Sequence, residues 1–341
     1  METEKKLLKK NLLEQLFQKI QEAGSKIVAP VQNKEQTSFK QVTSPSQMAQ
    51  NYLQTTQSAK EIVFPKVEQL FAYQNVQKKV QIDDTMAPMP PVVLWGVRPC
   101  DASSLEALKA VFCWEFQDKM FLERLAKLTV VALSCTQADS YCFCTALGSN
   151  PGETKGSDIL LTPVANDSFL AEILTEKGQK IVALAKDLFT EAPKELAKDK
   201  YLAQINPAFD VHQVWQKMDQ AYANEAMWTA MSLRCIGCGA CAFVCPICTC
   251  FDIQDEKHGQ SGKRLRCWDA CGFSLFTMHT SGHNPKHIQS ERCRQRMMHK
   301  FSYEPERLNV FGCVGCGRCS RACPVDMNIV EHLKTIEEVK P

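Results

Sequence analysis

The sequence has no apolar run long enough to cross a bilayer, which needs roughly 20 residues. Its N-terminus, Met1-Glu-Thr-Glu-Lys-Lys-Leu-Leu-Lys-Lys, carries charges of both signs and no apolar h-region, so it does not read as a secretory signal. Net charge is only +2 over 341 residues, and nothing global points to nucleic acid or to a membrane surface. No G-x-G-x-x-G follows a strand-like run and no G-x4-G-K-[ST] occurs, so no dinucleotide or nucleoside triphosphate site is recognisable. No acid–base constellation is visible either. The first 225 residues hold just five cysteines.

What the chain does have is cysteine in its last third. Of 18 in all, 13 fall within 226–341. In a reducing compartment such density points to metal rather than to disulfides. The expected address is therefore the cytoplasm, and an anaerobic one, since exposed low-potential clusters are oxygen-labile.

This compositional shift divides the chain into two expected domains, 1–225 and 226–341. In the first, Val92–Val97 is a continuous apolar run bounded by prolines, as a buried strand requires. Ala102–Trp114 follows with helical periodicity, and Asp101, Ser103 and Ser104 are suited to cap it. Thr129–Ser134 is a second buried-strand pattern; Ile159–Val164 and Ile181–Leu184 are weaker ones. Leu8, Leu12, Leu13, Leu16, Phe17 and Ile20 recur at helical spacing, and 30–60 is Gln/Ser/Thr-rich and reads as surface loop. Alternating strands and helices predict an α/β domain with a mostly parallel sheet. The second half has few β-branched runs and predicts a mainly α-helical, ferredoxin-like dicluster domain.

Cys235-Ile-Gly-Cys238-Gly-Ala-Cys241-Ala-Phe-Val-Cys245-Pro246 is C-x2-C-x2-C-x3-C-P, and Cys313-Val-Gly-Cys316-Gly-Arg-Cys319-Ser-Arg-Ala-Cys323-Pro324 repeats it. Three thiolates at this spacing reach three irons of one cubane, while the fourth ligates the other cluster. The rule assigns Cys235, Cys238, Cys241 and Cys323 to one [4Fe–4S] cluster, and Cys313, Cys316, Cys319 and Cys245 to a second. Zinc would use paired C-x2-C knuckles and needs neither the third cysteine nor the C-P exit. The 67 residues between Cys245 and Cys313 exceed a compact ferredoxin and form an insert, about 251–312. It is basic over 261–300, with Lys263, Arg264, Arg266, Lys286, Arg292, Arg294, Arg296 and Lys300 against Asp269 and Glu291. Such charge raises a cluster's potential, docks an acidic partner, or simply forms a solvated face.

Cys100 and Cys135 each follow a predicted strand; if those strands are parallel neighbours, both thiols lie at the carboxyl edge, where α/β folds bind ligands. With Cys142 and Cys144 they offer a third [4Fe–4S] site, or else are ordinary core and loop thiols. Cys113 reads as an ordinary buried cysteine, and nothing singles out Cys293. Cys248, Cys250, Cys267 and Cys271 line a cluster pocket, form another metal site or are redox-active; spacing does not decide. His279, His283 and His287 recur by four, but Gly282 and Pro285 break any helix that would align them.

Taken together, Gly96-Val-Arg-Pro-Cys-Asp-Ala, Ser134-Cys135, Cys142-Phe-Cys144, Cys245-Pro-Ile-Cys-Thr-Cys-Phe-Asp, Trp268-Asp-Ala-Cys271-Gly-Phe-Ser and Ser281-Gly-His283 resemble the family of sulfhydrogenase β subunits and anaerobic sulfite reductase A subunits. The likeness covers about 60–335 as motifs in one order. It implies a cytoplasmic electron-transfer subunit with two [4Fe–4S] clusters, and it strengthens the third site. The implied partners are a flavin- and NAD(P)H-binding subunit and a catalytic redox subunit of hydrogenase, sulfite reductase or heterodisulfide-reductase type. The expectation is a non-catalytic relay; the rival is an autonomous reductase acting on a sulfur substrate.

Overall fold

A computed structural model describes residues 4–77, 79–85 and 88–340. The strands are β1 (Glu4–Lys9), β2 (Lys26–Asn33), β3 (Gln36–Val42), β4 (Val67–Val76), β5 (Lys79–Asp83), β6 (Val92–Val97), β7 (Leu128–Leu133), β8 (Ile159–Val164), β9 (Ser168–Ile173), β10 (Phe189–Glu191), β11 (Phe251–His258) and β12 (Ser261–Trp268). The helices are α1 (Leu13–Glu22), α2 (Pro99–Phe112), α3 (Lys119–Lys127), α4 (Glu176–Leu184), α5 (Val211–Tyr222), α6 (Glu225–Ser232), α7 (Ala240–Phe243), α8 (Gln289–Met298), α9 (Glu304–Leu308), α10 (Arg318–Arg321) and α11 (Ile329–Glu337).

The large sheet runs β10-β1-β9-β8-β7-β6-β2-β3. It is mixed rather than mostly parallel. Parallel pairing is confined to β2–β6, β6–β7 and β7–β8, and the flanks are antiparallel hairpins and the returning strand β1. Alternation along β6 explains the layers. Val93 and Trp95 pack with Leu16 and Phe17 of α1 and Ile181 of α4, whereas Val92 and Leu94 pack with Leu105 and Leu108 of α2 and Phe121 of α3.

Four local expectations are corrected. Leu8 lies in β1, opposite Phe169, so the first helix begins only at Leu13. Ile181 belongs to α4: Thr175 caps that helix and its apolar run faces the sheet, a case short apolar runs leave ambiguous. The expected surface loop of 30–60 begins instead with the β2–β3 hairpin, which runs to Val42, and only 43–58 is irregular apart from a 3-10 turn at Pro45–Gln47. Asp101 is not a cap: Arg98 occupies that position, with Pro99 opening the helix.

The C-terminal part is not uniformly helical. Its insert contains the long β11–β12 hairpin, which joins β4 and β5 in a second, antiparallel sheet ordered β11-β12-β4-β5. Both faces of β11 are solvated, so its polar alternation lacks the apolar rhythm by which a strand is recognised. Arg266 of β12 pairs with Asp118 at the start of α3 (2.5 Å) and with Glu68 of β4 (2.8 Å), which in turn pairs with Arg124 of α3, tying this sheet to that helix. A further core gathers Phe143, Val214 and Met218 of α5, Trp228 of α6, Met297 of α8, Phe301 and Leu333 of α11. Thus α5, before the compositional shift, packs with the C-terminal helices, and the 141–146 loop is sunk into the same core.

Candidate metal centres

The two motif loops adopt the same backbone path. Gly237 and Gly315 both have φ of 67°, and Gly239 and Gly317 have φ of 74° and 71°, each opening a short helix, α7 or α10. These left-handed residues turn the chain tightly between ligands, a conformation that costs glycine little. Amides already point at sulfur: Gly315 N–H donates to Cys313 Sγ (3.4 Å) and Met327 N–H to Cys323 Sγ (3.2 Å).

Cys245, Cys313, Cys316 and Cys319 line one small enclosed cavity, together with Arg296 and Lys300. Burial pushes Cys316 up to about 12, and Cys313 also upward. Cys235 and Cys241 face each other across the first loop, where the Gln289 side chain donates to Cys235 Sγ (3.0 Å). Cys238 is exposed at the tip of that loop. Cys323 follows α10, which packs on α7, the helix bearing Cys241.

In the N-terminal part, β6 and β7 are parallel neighbours, which brings Cys100 and Cys135 to the same sheet edge. Cys100, Cys135, Cys142 and Cys144 line one cavity, whose wall also includes Cys316. Burial raises Cys135 to about 11 and Cys144 to about 12. Gln54 reaches Cys100 Sγ (3.5 Å), and Arg321 reaches Cys142 Sγ (3.3 Å) while pairing with Asp139 (2.6 Å).

Two cations of the insert lie deep in the protein. Lys300 is 4% exposed and donates to Gly312 O (2.6 Å) and Cys245 Sγ (3.4 Å). Burial pulls its pKa down, but the sulfurs of Cys245 and Cys248 outweigh that and raise it. Arg296 faces Cys241, Cys319, Cys248 and Cys271, and its buried Nε and Nη2 have no protein partner. An unpaired buried guanidinium is costly; an anionic thiolate-ligated group beside it supplies the missing counter-charge. The residues present therefore fit iron–sulfur clusters. Among the described residues no three His, Cys, Asp or Glu gather around one point as a single bound ion needs. A cubane instead spreads its thiolates over separate irons. Of the basic insert, Lys263 and Arg264 pair with Glu256 and Asp255 on the hairpin, whereas Arg292, Arg296 and Lys300 turn inward.

A family model described as a 4Fe–4S dicluster domain matches residues 234–327. Along its length the chain is 27% identical over 334 residues to the sulfhydrogenase 2 subunit beta of Pyrococcus furiosus, covering 96% of this chain and 95% of that protein. The chain is a homologue of that β subunit. The likeness to the Pyrococcus β subunit leaves too little uncovered to omit the first 60 residues, which no sequence motif had linked to it. Sequence reasoning also missed Lys60, Asp101 and Arg318 as companions of the thiols. Only Arg318 gave a signal, by standing inside the second motif. Arg318 is buried, binds both carboxylate oxygens of Asp101 (2.6 and 2.5 Å) and donates to Thr55 O (2.8 Å). It thereby bolts the second motif to the helix that begins beside Cys100. Cys293, on α8, stands near Cys235 and Cys241, and burial raises it to about 11. Among the described residues no helix is long and apolar enough to cross a membrane.

Proposed function

We propose that the chain is the iron–sulfur relay subunit of a sulfhydrogenase-like redox complex, holding three [4Fe–4S] clusters. The first rests on Cys235, Cys238, Cys241 and Cys323, the second on Cys313, Cys316, Cys319 and Cys245, and the third on Cys100, Cys135, Cys142 and Cys144. When bound, such clusters supply one-electron transfer at potentials tuned by amides, burial and nearby charge. Cys316 carries this reading: it belongs to the cavity of the second set and also walls the cavity of the third, so the two sites are in contact.

The protein's own residues orient and tune. The amides at Gly315 and Met327 stabilise thiolate charge, Lys300 and Arg296 favour the reduced state of whatever the thiols hold, and Arg318 fixes the distance between neighbouring sites. At its ends the relay meets two partners. One is a flavin- and NAD(P)H-binding subunit that splits a hydride's two electrons; the other is a catalytic subunit of hydrogenase, sulfite reductase or heterodisulfide-reductase type. The setting is the cytoplasm of an anaerobically growing cell.

Anaerobic affinity purification of the chain from its own cell tests this. Recovery with a flavin subunit and a catalytic redox subunit, and roughly 12 irons per chain, is the expected result. A chain recovered alone, reducing sulfite, polysulfide or a disulfide from an artificial donor, would replace the relay with an autonomous reductase.

A further inference from the structure

Among the cysteines that belong to none of the three sets are Cys248 and Cys250, just past the first motif, and Cys271, at the far end of the β11–β12 hairpin. The β11–β12 ladder ends at Phe251 opposite Trp268, and one further bond, Asp269 N–H to Cys250 O (2.9 Å), continues it. The chain then turns sharply, with Asp269 Oδ1 accepting from Ala270 N–H (2.7 Å) and Phe273 N–H donating to Ala270 O (2.9 Å). That turn folds Cys271 back onto Cys250. Both the thiol and the backbone N–H of Cys271 donate to the Cys250 sulfur. Backbone bonds on either side of the two cysteines thus hold the sulfurs in mutual contact.

Their setting is polarised. Lys60 and Lys300 face Cys250, and Arg296 faces Cys271. Lys60 is itself pinned, donating to Cys248 O (2.7 Å) and Ala242 O (3.3 Å) with its ammonium 4.0 Å from the Trp268 ring centre. On one side Cys271 looks toward Cys241 of the first set; on the other, Cys248 is hydrogen-bonded to Cys245 of the second. The two sulfurs therefore sit between the ferredoxin-type sites.

We propose that Cys250 and Cys271 form a dithiol–disulfide couple that exchanges two electrons with the iron–sulfur groups on either side. In the oxidising direction an S–S bond forms between the two Sγ atoms as the Cys250 thiolate and the Cys271 thiol together release one proton and two electrons. Each electron passes singly to an iron–sulfur group, and reduction reverses every step. The hydrogen bond from Cys271 is the main reason Cys250 is pulled down to about 6, so it is a thiolate at neutral pH, the form that engages in disulfide chemistry. Such a couple is a two-electron store set among one-electron carriers. The proposal rests on the relay reading.

The test uses the anaerobically purified complex. It is equilibrated in redox buffers of graded potential, quenched in acid, alkylated and read by peptide mass spectrometry, alongside a reductive titration of the intact complex. Expected is a linked Cys250–Cys271 peptide whose fraction follows a two-electron curve. Expected also is that wild type takes up two more electrons per chain than Cys250→Ser or Cys271→Ser, whose iron content matches wild type. Free thiols at both positions at every potential would overturn the couple. So would loss of about four irons in either variant, which would make these cysteines cluster ligands. Because the mass-spectrometric arm reads wild type, misfolding of a variant does not spoil it. A wild-type complex without iron would sink the relay reading instead, while the linked peptide would still report on the two thiols.

Discussion

The amide of Phe143 donates a 2.9 Å hydrogen bond to the carbonyl of Gly315. Through that bond the loop bearing Cys142 and Cys144 lies directly on the loop bearing Cys313 and Cys316. The approach is so close that a Cβ at Gly315 would stand 2.5 Å from the Cys144 Cα, and at Gly317 it would stand 2.4 Å from the Tyr141 carbonyl oxygen. Electron transfer between the N-terminal and C-terminal sites would use this seam.

Gly315→Ala should therefore pry the loops apart. Overpacking of this kind costs about 1–3 kcal/mol, added to the strain of a non-glycine residue at φ of 67°. Anaerobic thermal unfolding should show the loss, and cluster content should fall at both sites. An unchanged melting temperature and full iron content would mean the seam is looser than its geometry implies.

Cys142→Ser separates a third cluster from idle thiols. Iron and acid-labile sulfide should drop by about four atoms each per chain, with about eight of each remaining. Cys238→Ser should remove a similar amount from the C-terminal part. An unaltered iron count in Cys142→Ser would leave the N-terminal thiols without a metal role.

Asp101→Asn leaves the Arg318 guanidinium buried without its counter-charge. Breaking such a pair by one partner typically costs about 3–5 kcal/mol. Urea unfolding of the anaerobic protein, followed by far-ultraviolet circular dichroism, should show a loss of that size. Replacing both residues with apolar ones of similar volume should recover much of it.

Lys300→Met keeps the stem and deletes the charge beside Cys245. The midpoint potential of the adjacent cluster should fall, since a nearby cation favours the added electron. Coulomb attraction at about 4 Å and an effective dielectric near 20 is at most ~4 kcal/mol, so a drop of roughly 60–170 mV is expected. An EPR-monitored redox titration measures it; a potential that rises would contradict the assigned role.

Glu304 should give the protein a pH-dependent stability. Burial lifts its carboxyl from 4.5 to about 7, with Lys300 opposing. Between those values the unfolded chain ionises while the folded one keeps its proton, so stability declines as pH rises through the window and levels off above it. Its neighbour His299 (3.4 Å) is pushed down to about 4, chiefly by burial, so near pH 6 the contact is a neutral one and not an ion pair. Unfolding midpoints of Glu304→Gln between about pH 5 and pH 8 should lose this slope.

The sequence by itself determined the features whose cause is local. Twelve-residue cysteine motifs close onto themselves, so Cys235–Cys241 and Cys313–Cys319 were legible from spacing. The all-buried run of β6 announced itself because it is apolar along its whole length. Tertiary structure alone decided the rest. The β11–β12 hairpin was hidden because its strand is held by ladder bonds to β12 and exposes every side chain, leaving no apolar rhythm to read. Leu8 followed a helical spacing yet became a strand residue, because pairing with β9 outweighs local periodicity. Asp101 and Arg318 stand 217 residues apart, and their pairing arises only when α2 and α10 meet in a buried space where neither charge can remain alone. The same holds for Cys250 and Cys271, and for Lys60 among the thiols. Contacts between distant segments are fixed by packing and desolvation, and no local pattern in the chain records them.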